Sequence, residues 1–113
     1  DIDDIDTVIG DTFKNNKKYK EAIQFYNMYL EKEVVSEKLY TECTFNVAYC
    51  YYKMREFENA CAYFEKAIIS GYEENEVKEY LEWTIEQTKQ DNVKEYAYQI
   101  INKFNNTQRK NEE

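Results

Sequence analysis

Apolar residues recur along most of the chain at intervals of three and four positions, the spacing that places them on one face of an α-helix. Polar stretches interrupt this pattern, and Gly71 stands where glycine commonly ends a helix. The segment 105–113 has no apolar residue and is predicted to be a frayed tail. The pattern therefore predicts an all-α fold of six helices, over about residues 5–15, 19–30, 39–54, 57–69, 75–88 and 93–104.

The helices also form an internal repeat. Ala22 has an aromatic residue three positions before it and another four positions after it. Ala60, which lies 38 residues after Ala22, has aromatic residues at the same two relative positions. Gly10 and Ala48, upstream, share this offset. Small residues let two helices approach closely, and large aromatic side chains fill the adjacent space. We therefore predict antiparallel helix pairs with Ala22 and Ala60 buried where the helices cross.

This pattern resembles the tetratricopeptide repeat, a helix-turn-helix unit of 34 residues. The matching positions are Gly10, Phe13, Tyr19, Ala22 and Tyr26, and then Ala48, Tyr51, Phe57, Ala60, Phe64 and Ala67. The first connector is four residues longer than in the family, and Val34 and Tyr72 replace the proline that often ends a repeat. A third pair fits less well, with Thr84 at the small-residue position. The resemblance implies one domain over residues 1–104, a right-handed superhelix (an α-solenoid) with repeats at about 3–36, 41–74 and 77–104.

Composition narrows the classes of function. The chain has 15 basic and 23 acidic residues and a net charge of −8, which argues against binding to nucleic acid. No apolar run approaches the roughly 20 residues of a membrane-spanning helix, so direct membrane insertion is not expected. Because the chain begins at Asp1, we expect a domain excised from a longer protein, and we expect it to be cytoplasmic.

The residues that usually carry chemistry are missing or scattered. The chain has no His, the commonest general base and metal ligand. Cys43, Cys50 and Cys61 form no C-x-x-C pair and are expected to be reduced and buried. The acidic segment 1–6 lacks the central Gly and distal Glu of a calcium loop. We therefore expect no catalytic residues, no cofactor and no metal site, and we predict that the chain is not an enzyme.

The resemblance implies that the first helix of each repeat lines a concave groove. Phe45, Tyr49 and Tyr52 form an aromatic stripe that we predict to face this groove; the alternative is that the longer connector rotates the helix and buries the stripe. The predicted groove residues are Thr7, Asp11, Lys14, Phe45, Asn46, Tyr49, Tyr52, Lys53, Lys78 and Glu82. The predicted partner is an extended or helical protein segment with apolar side chains and at least one Arg or Lys.

The segment 46–53 is also similar to chaperone-binding tetratricopeptide domains, which hold a terminal carboxylate with five polar groove residues. Asn46 and Lys78 match that set. Three other positions do not: Thr7, Asp11 and Glu82 stand in place of Lys, Asn and Arg. We therefore predict a protein-interaction module that does not bind the chaperone tail. The alternative is a structural subunit of a larger assembly or a self-associating scaffold, so a homo-oligomer is possible.

Overall fold

A computed structural model describes the backbone of residues 4–112 and the side chains of residues 4–105. The helices are α1 (Ile5–Asn15), α2 (Tyr19–Leu30), α3 (Glu37–Lys53), α4 (Phe57–Ser70), α5 (Glu74–Gln87) and α6 (Asp91–Glu112). Each helix packs against its neighbours in sequence, and α4 also packs against α6. The part of the chain that the structure describes contains no strand. The predicted all-α helical-repeat solenoid is confirmed.

The helix ends have identifiable causes. The Asp4 carboxylate accepts a hydrogen bond from the Asp6 amide at 2.8 Å and caps α1. Ser36 caps α3 in the same way, through the Leu39 amide. Gly71 ends α4 with φ of 107°, as predicted.

The predicted end of the last helix at Phe104 is wrong, whereas the predicted fraying of residues 105–113 stays a prediction. The backbone of α6 continues in helix to Glu112. The tail contains neither Pro nor Gly, so nothing in its sequence stops the helix once it is started by the packed segment before it.

Small residues lie where the paired helices cross. Ala22 and Ala60 are fully buried, which confirms the predicted register. Gly10 faces the Tyr26 ring so closely that a Cβ at position 10 would lie 2.8 Å from Tyr26 Cε1. A side chain at position 10 would therefore displace one of the most deeply buried rings in the first helix pair.

The third pair packs with a different set of small residues. Thr84 is fully buried at the position predicted for it, and Val93 and Ile100 are buried on α6. Tyr96, which corresponds to Ala60, is only half-buried, and the adjacent Ala97 takes the fully buried place. The third pair therefore keeps the helix-pair architecture without the side-chain pattern of the first two.

The three cysteines are free thiols and all are buried. Burial raises the pKa of each thiol, Cys43, Cys50 and Cys61, to about 12. A thiol protonated at neutral pH is a poor nucleophile and a poor metal ligand. The predicted role of the cysteines as small core residues is confirmed.

Candidate binding groove

A cleft of about 400 Å³ opens between the α1–α2 turn, α3 and α5. We call it the central cleft. Its lining residues are Lys14, Asn15, Lys17, Tyr19, Phe45, Asn46, Tyr49 and Tyr80. The structure thus brings together four residues that the sequence assigned to a groove, and they come from the first helices of the first two pairs.

Tyr49 lies at the centre of this cleft between two other tyrosine rings. It meets Tyr19 edge-on at 6.2 Å between ring centroids, and Tyr80 at 6.0 Å. Lys14 Nζ lies 5.8 Å from the centroid of the Tyr49 ring and donates a hydrogen bond to Asn46 Oδ1 at 3.1 Å. The cleft therefore combines aromatic surface with amide and ammonium groups, a mixture common at protein interfaces.

A smaller cleft of about 70 Å³ adjoins the central cleft, and Asn46 lines both. We call it the acidic cleft because Asp11 and Glu42 are the charged residues among those that line it. Asp11 accepts a hydrogen bond from the Tyr26 hydroxyl, and burial together with this bond raises the pKa of Tyr26. Thr7 also lines this cleft, but it is buried and its hydroxyl donates to the Asp4 carbonyl at 2.7 Å.

The predicted aromatic stripe is not uniformly open to solvent, because Phe45 lines the central cleft but is only 7% exposed. Its ring stacks in parallel on Tyr72 at 4.1 Å between centroids, and it also packs against Phe64. Tyr72 stands where the family often has proline, and burial raises its pKa to about 12. A large ring at that connector position therefore covers Phe45 from outside α3.

Tyr52 and Lys53 do not line the central cleft. Tyr52 is half-buried, and its hydroxyl accepts a hydrogen bond from Gln87 Nε2 at 2.6 Å. Its ring meets Tyr80 edge-on at 5.2 Å. Lys53 is exposed in the last turn of α3. Tyr52 therefore joins α3 to α5 and is not part of the central cleft.

Lys78 and Glu82 lie apart from the other predicted groove residues. Lys78 is 8% exposed and donates to Asn105 Oδ1 at 2.6 Å and to Glu74 Oε2 at 3.1 Å. Glu82 lines a different cleft, between α5 and α6. Both residues lie on the side of α5 that meets α6, where Asn105 accepts the hydrogen bond from Lys78. Their predicted role in partner binding stays a prediction.

Several residues of the central cleft were missed at the level of sequence. Asn15, Lys17 and Tyr19 belong to a stretch interpreted only as a turn and the start of a helix. Lys17 has φ of 62°, as does Arg55 at the corresponding turn 38 residues later, so the turn geometry is itself repeated. Tyr80 lies next to Trp83 at 5.1 Å between ring centroids, and Trp83 is 41% exposed. The aromatic pair at positions i and i+3 on α5 was a usable signal for this side of the cleft.

The described residues contain neither a membrane-spanning helix nor a metal-binding cluster. None of the helices in residues 4–112 combines the length and hydropathy needed to cross a bilayer. In the same part of the chain, no three His, Cys, Asp or Glu side chains are grouped as a metal site would require.

Two segments of the chain, residues 7–31 and 41–68, match the family model described as tetratricopeptide repeat. The first match falls on α1 and α2 and the second on α3 and α4. Neither a curated protein nor a solved structure matches the chain significantly.

Proposed function

Because the chain belongs to the tetratricopeptide-repeat proteins through these two repeats, we propose that it binds a segment of another protein in the groove formed by the central and acidic clefts. Tetratricopeptide repeats are generally protein–protein interaction modules and form a non-catalytic fold. The observation that supports this site is the half-buried Tyr49, held between Tyr19 and Tyr80 beside the Lys14–Asn46 hydrogen bond. Rings fixed in this way can receive an apolar side chain with little further loss of entropy.

The charges around the groove indicate where the charged side chains of the bound segment should lie. Lys14 and Lys17 line the central cleft, whereas Asp11 and Glu42 line the acidic cleft. A complementary segment places an apolar side chain against Tyr49 and directs an Arg or Lys toward Asp11 and Glu42. A carboxylate on the same segment would meet Lys14 and Lys17. We therefore propose a partner segment with a basic group at one end, as the sequence predicted, and an acidic group at the other.

The variant Tyr49→Ala does not separate the effect on binding from the effect on folding. If Tyr49 faced only the groove, Tyr49→Ala would leave folding nearly unchanged. Tyr49 packs against both hydrophobic clusters of the core, so we expect this variant to lose stability as well. A change of charge at an exposed position, made so that existing hydrogen bonds to buried groups are kept, separates binding from folding more cleanly.

The test starts from short random peptides displayed on phage and selected against the wild-type protein. Binding of each selected peptide is measured by the fluorescence of Trp83, the chain's one tryptophan, which contacts Tyr80. The variants are Asp11→Asn and Lys17→Glu, both at exposed positions that line the clefts. Asparagine at position 11 removes the charge but keeps an oxygen that can accept the Tyr26 hydrogen bond. The matched control is Lys20→Glu, an exposed position on α2 that lines neither cleft.

We expect selected peptides to pair an apolar residue with a charged one and to lose about tenfold in affinity with either groove variant, a change of about 1.4 kcal/mol. Lys20→Glu should bind as the wild type does. Equal losses in all three variants, or selected peptides that ignore both groove variants, would contradict the proposal.

A further inference from the structure

A second surface lies on the other side of Glu42 from the groove, where the long connector 31–36 meets the end of α4. We call it the connector edge. It consists of an apolar part, Val34, Val35, Tyr40 and Ile69, and an acidic part, Glu37, Glu73 and Glu76. None of these residues was assigned to the groove.

The apolar part is unusually open to solvent. Val34 is 89% exposed and Ile69 is 65% exposed. Val35, Tyr40 and Ser70 line a depression of about 440 Å³, and Val34 and Ile69 immediately precede Val35 and Ser70 in the chain. Large apolar side chains left open to solvent on one part of a surface are typical of a site that another molecule covers.

The acidic part continues directly from the apolar part. A neighbouring cleft of about 480 Å³ shares Glu37 and Thr41 with the apolar depression. Its other lining residues include Glu42, Glu73 and Glu76, with Lys38 as the one basic side chain. Among the side chains of residues 4–105, no ion pair neutralises these carboxylates.

The connector edge is held in place by hydrogen bonds and packing. The Ser36 amide donates to the Tyr29 hydroxyl at 2.8 Å, which fixes the end of the connector on α2. The Thr41 hydroxyl donates to the Ser70 carbonyl at 3.1 Å, which joins α3 to the end of α4. Val35 also packs against the core. A surface fixed in advance loses little conformational entropy when it binds.

We propose that the connector edge docks a basic, apolar segment of a partner protein, with leucine-like side chains over Val34, Tyr40 and Ile69 and Lys or Arg side chains toward Glu37, Glu73 and Glu76. Charge complementarity decides the kind of occupant. A second copy of this chain would bring its own charge of −8 to a surface already rich in carboxylates. The docking site is independent of the groove, because no apolar residue of the connector edge lines either cleft.

The probe is a designed helical peptide of leucine and lysine, titrated by calorimetry. Two control peptides replace all leucines by serine, or all lysines by glutamate. The protein variant is Glu37→Gln/Glu73→Gln/Glu76→Gln; Glu42 stays unchanged because it also lines the acidic cleft. The matched control variant is Glu58→Gln/Glu79→Gln/Glu95→Gln, which removes the same charge from exposed positions elsewhere. A second variant, Val34→Ser/Ile69→Ser, removes the apolar part.

We expect the leucine–lysine peptide to lose about tenfold in affinity with the Glu37 triple variant and with the Val34 double variant. The control triple variant and Asp11→Asn, which changes only the groove, should bind it as the wild type does. If the two triple variants weakened binding of this peptide equally, the loss would be due to the net charge alone, and the proposal would be overturned. Equal binding of the leucine–lysine and serine–lysine peptides would overturn it as well. Loss of binding with Asp11→Asn alone would assign the peptide to the groove.

Discussion

The second and third helix pairs solve the same packing problem with different residues. In the second pair, fully buried Ala60 lets α3 and α4 approach, with Phe64 filling the space beside it. In the third pair the position of Ala60 is taken by Tyr96, which is half-buried, and Ala97 is buried instead. The family match covers the second pair and stops before the third. Packing of a helix pair therefore needs a small residue somewhere on the buried face. The repeat signature is stricter, because it needs that residue at one particular position.

The two pairs nevertheless share one core. Phe64 of α4 stacks on Tyr80 of α5 at 5.4 Å between ring centroids, and Val77 and Leu81 belong to the same buried cluster. The third pair is therefore supported by the second, as in repeat proteins in which each unit is stabilised mainly by its neighbours.

The largest effect is expected at this shared core. Phe64→Ala removes a fully buried ring that contacts both pairs and should cost about 3–5 kcal/mol of unfolding free energy. The measurement is urea denaturation followed by circular dichroism. Phe104→Ala, at a partly buried ring on α6, is the control and should cost less. A loss at Phe64 no larger than that at Phe104 would show that the second and third pairs do not share a core.

The next effect compares equivalent positions in the two pairs. Ala60→Leu inserts three carbons at a closed crossing and should cost about 1–3 kcal/mol. Tyr96→Leu, at the corresponding position of the third pair, should change stability by no more than about 0.5 kcal/mol, because the site is partly open. Similar losses from both substitutions in thermal melts would mean that the two crossings are packed alike.

A smaller effect is expected at the first crossing. Gly10→Ala places a Cβ 2.8 Å from the Tyr26 ring, and the ring is anchored by its bond to Asp11. The overpacking outweighs the gain of about 1 kcal/mol in helix propensity, so we expect a net loss of about 1 kcal/mol. Gly10→Ala with a melting temperature above the wild type would show that α1 can move away from Tyr26 at little cost.

The buried cysteines should make the unfolding free energy depend on pH, but only in the alkaline range. Their pKa is raised from 9 in the unfolded chain to about 12 in the folded one. The folded thiols therefore contribute their full stability below pH 9, and this contribution is lost as the pH rises from 9 through 12. Unfolding free energy measured across that range should fall, and Cys61→Ala should make the fall shallower. An unchanged slope in this variant would mean that Cys61 is not protected by burial.

The sequence was informative where a local pattern decides the structure. The spacing around Ala22 and Ala60 and the position of Gly71 were enough to place the helix pairs and the end of α4. The sequence pattern was insufficient where a contact with a residue far away in the chain decides the position of a side chain. Phe45 is buried because Tyr72 folds back over it, and Lys78 is held by its hydrogen bond to Asn105 of α6. Neither contact leaves a signal in the periodicity of α3 or α5.

We propose that the groove lined by α1, α3 and α5 is the surface that binds a partner segment. Backbone amide chemical shifts, recorded by NMR while a selected peptide is titrated, test it most directly. If the partner segment binds in the groove, the amides of residues 14–19, 42–49 and 80–83 shift together and saturate at one Kd. Shifts confined to α2, α4 and α6, with the groove residues unchanged, would contradict it.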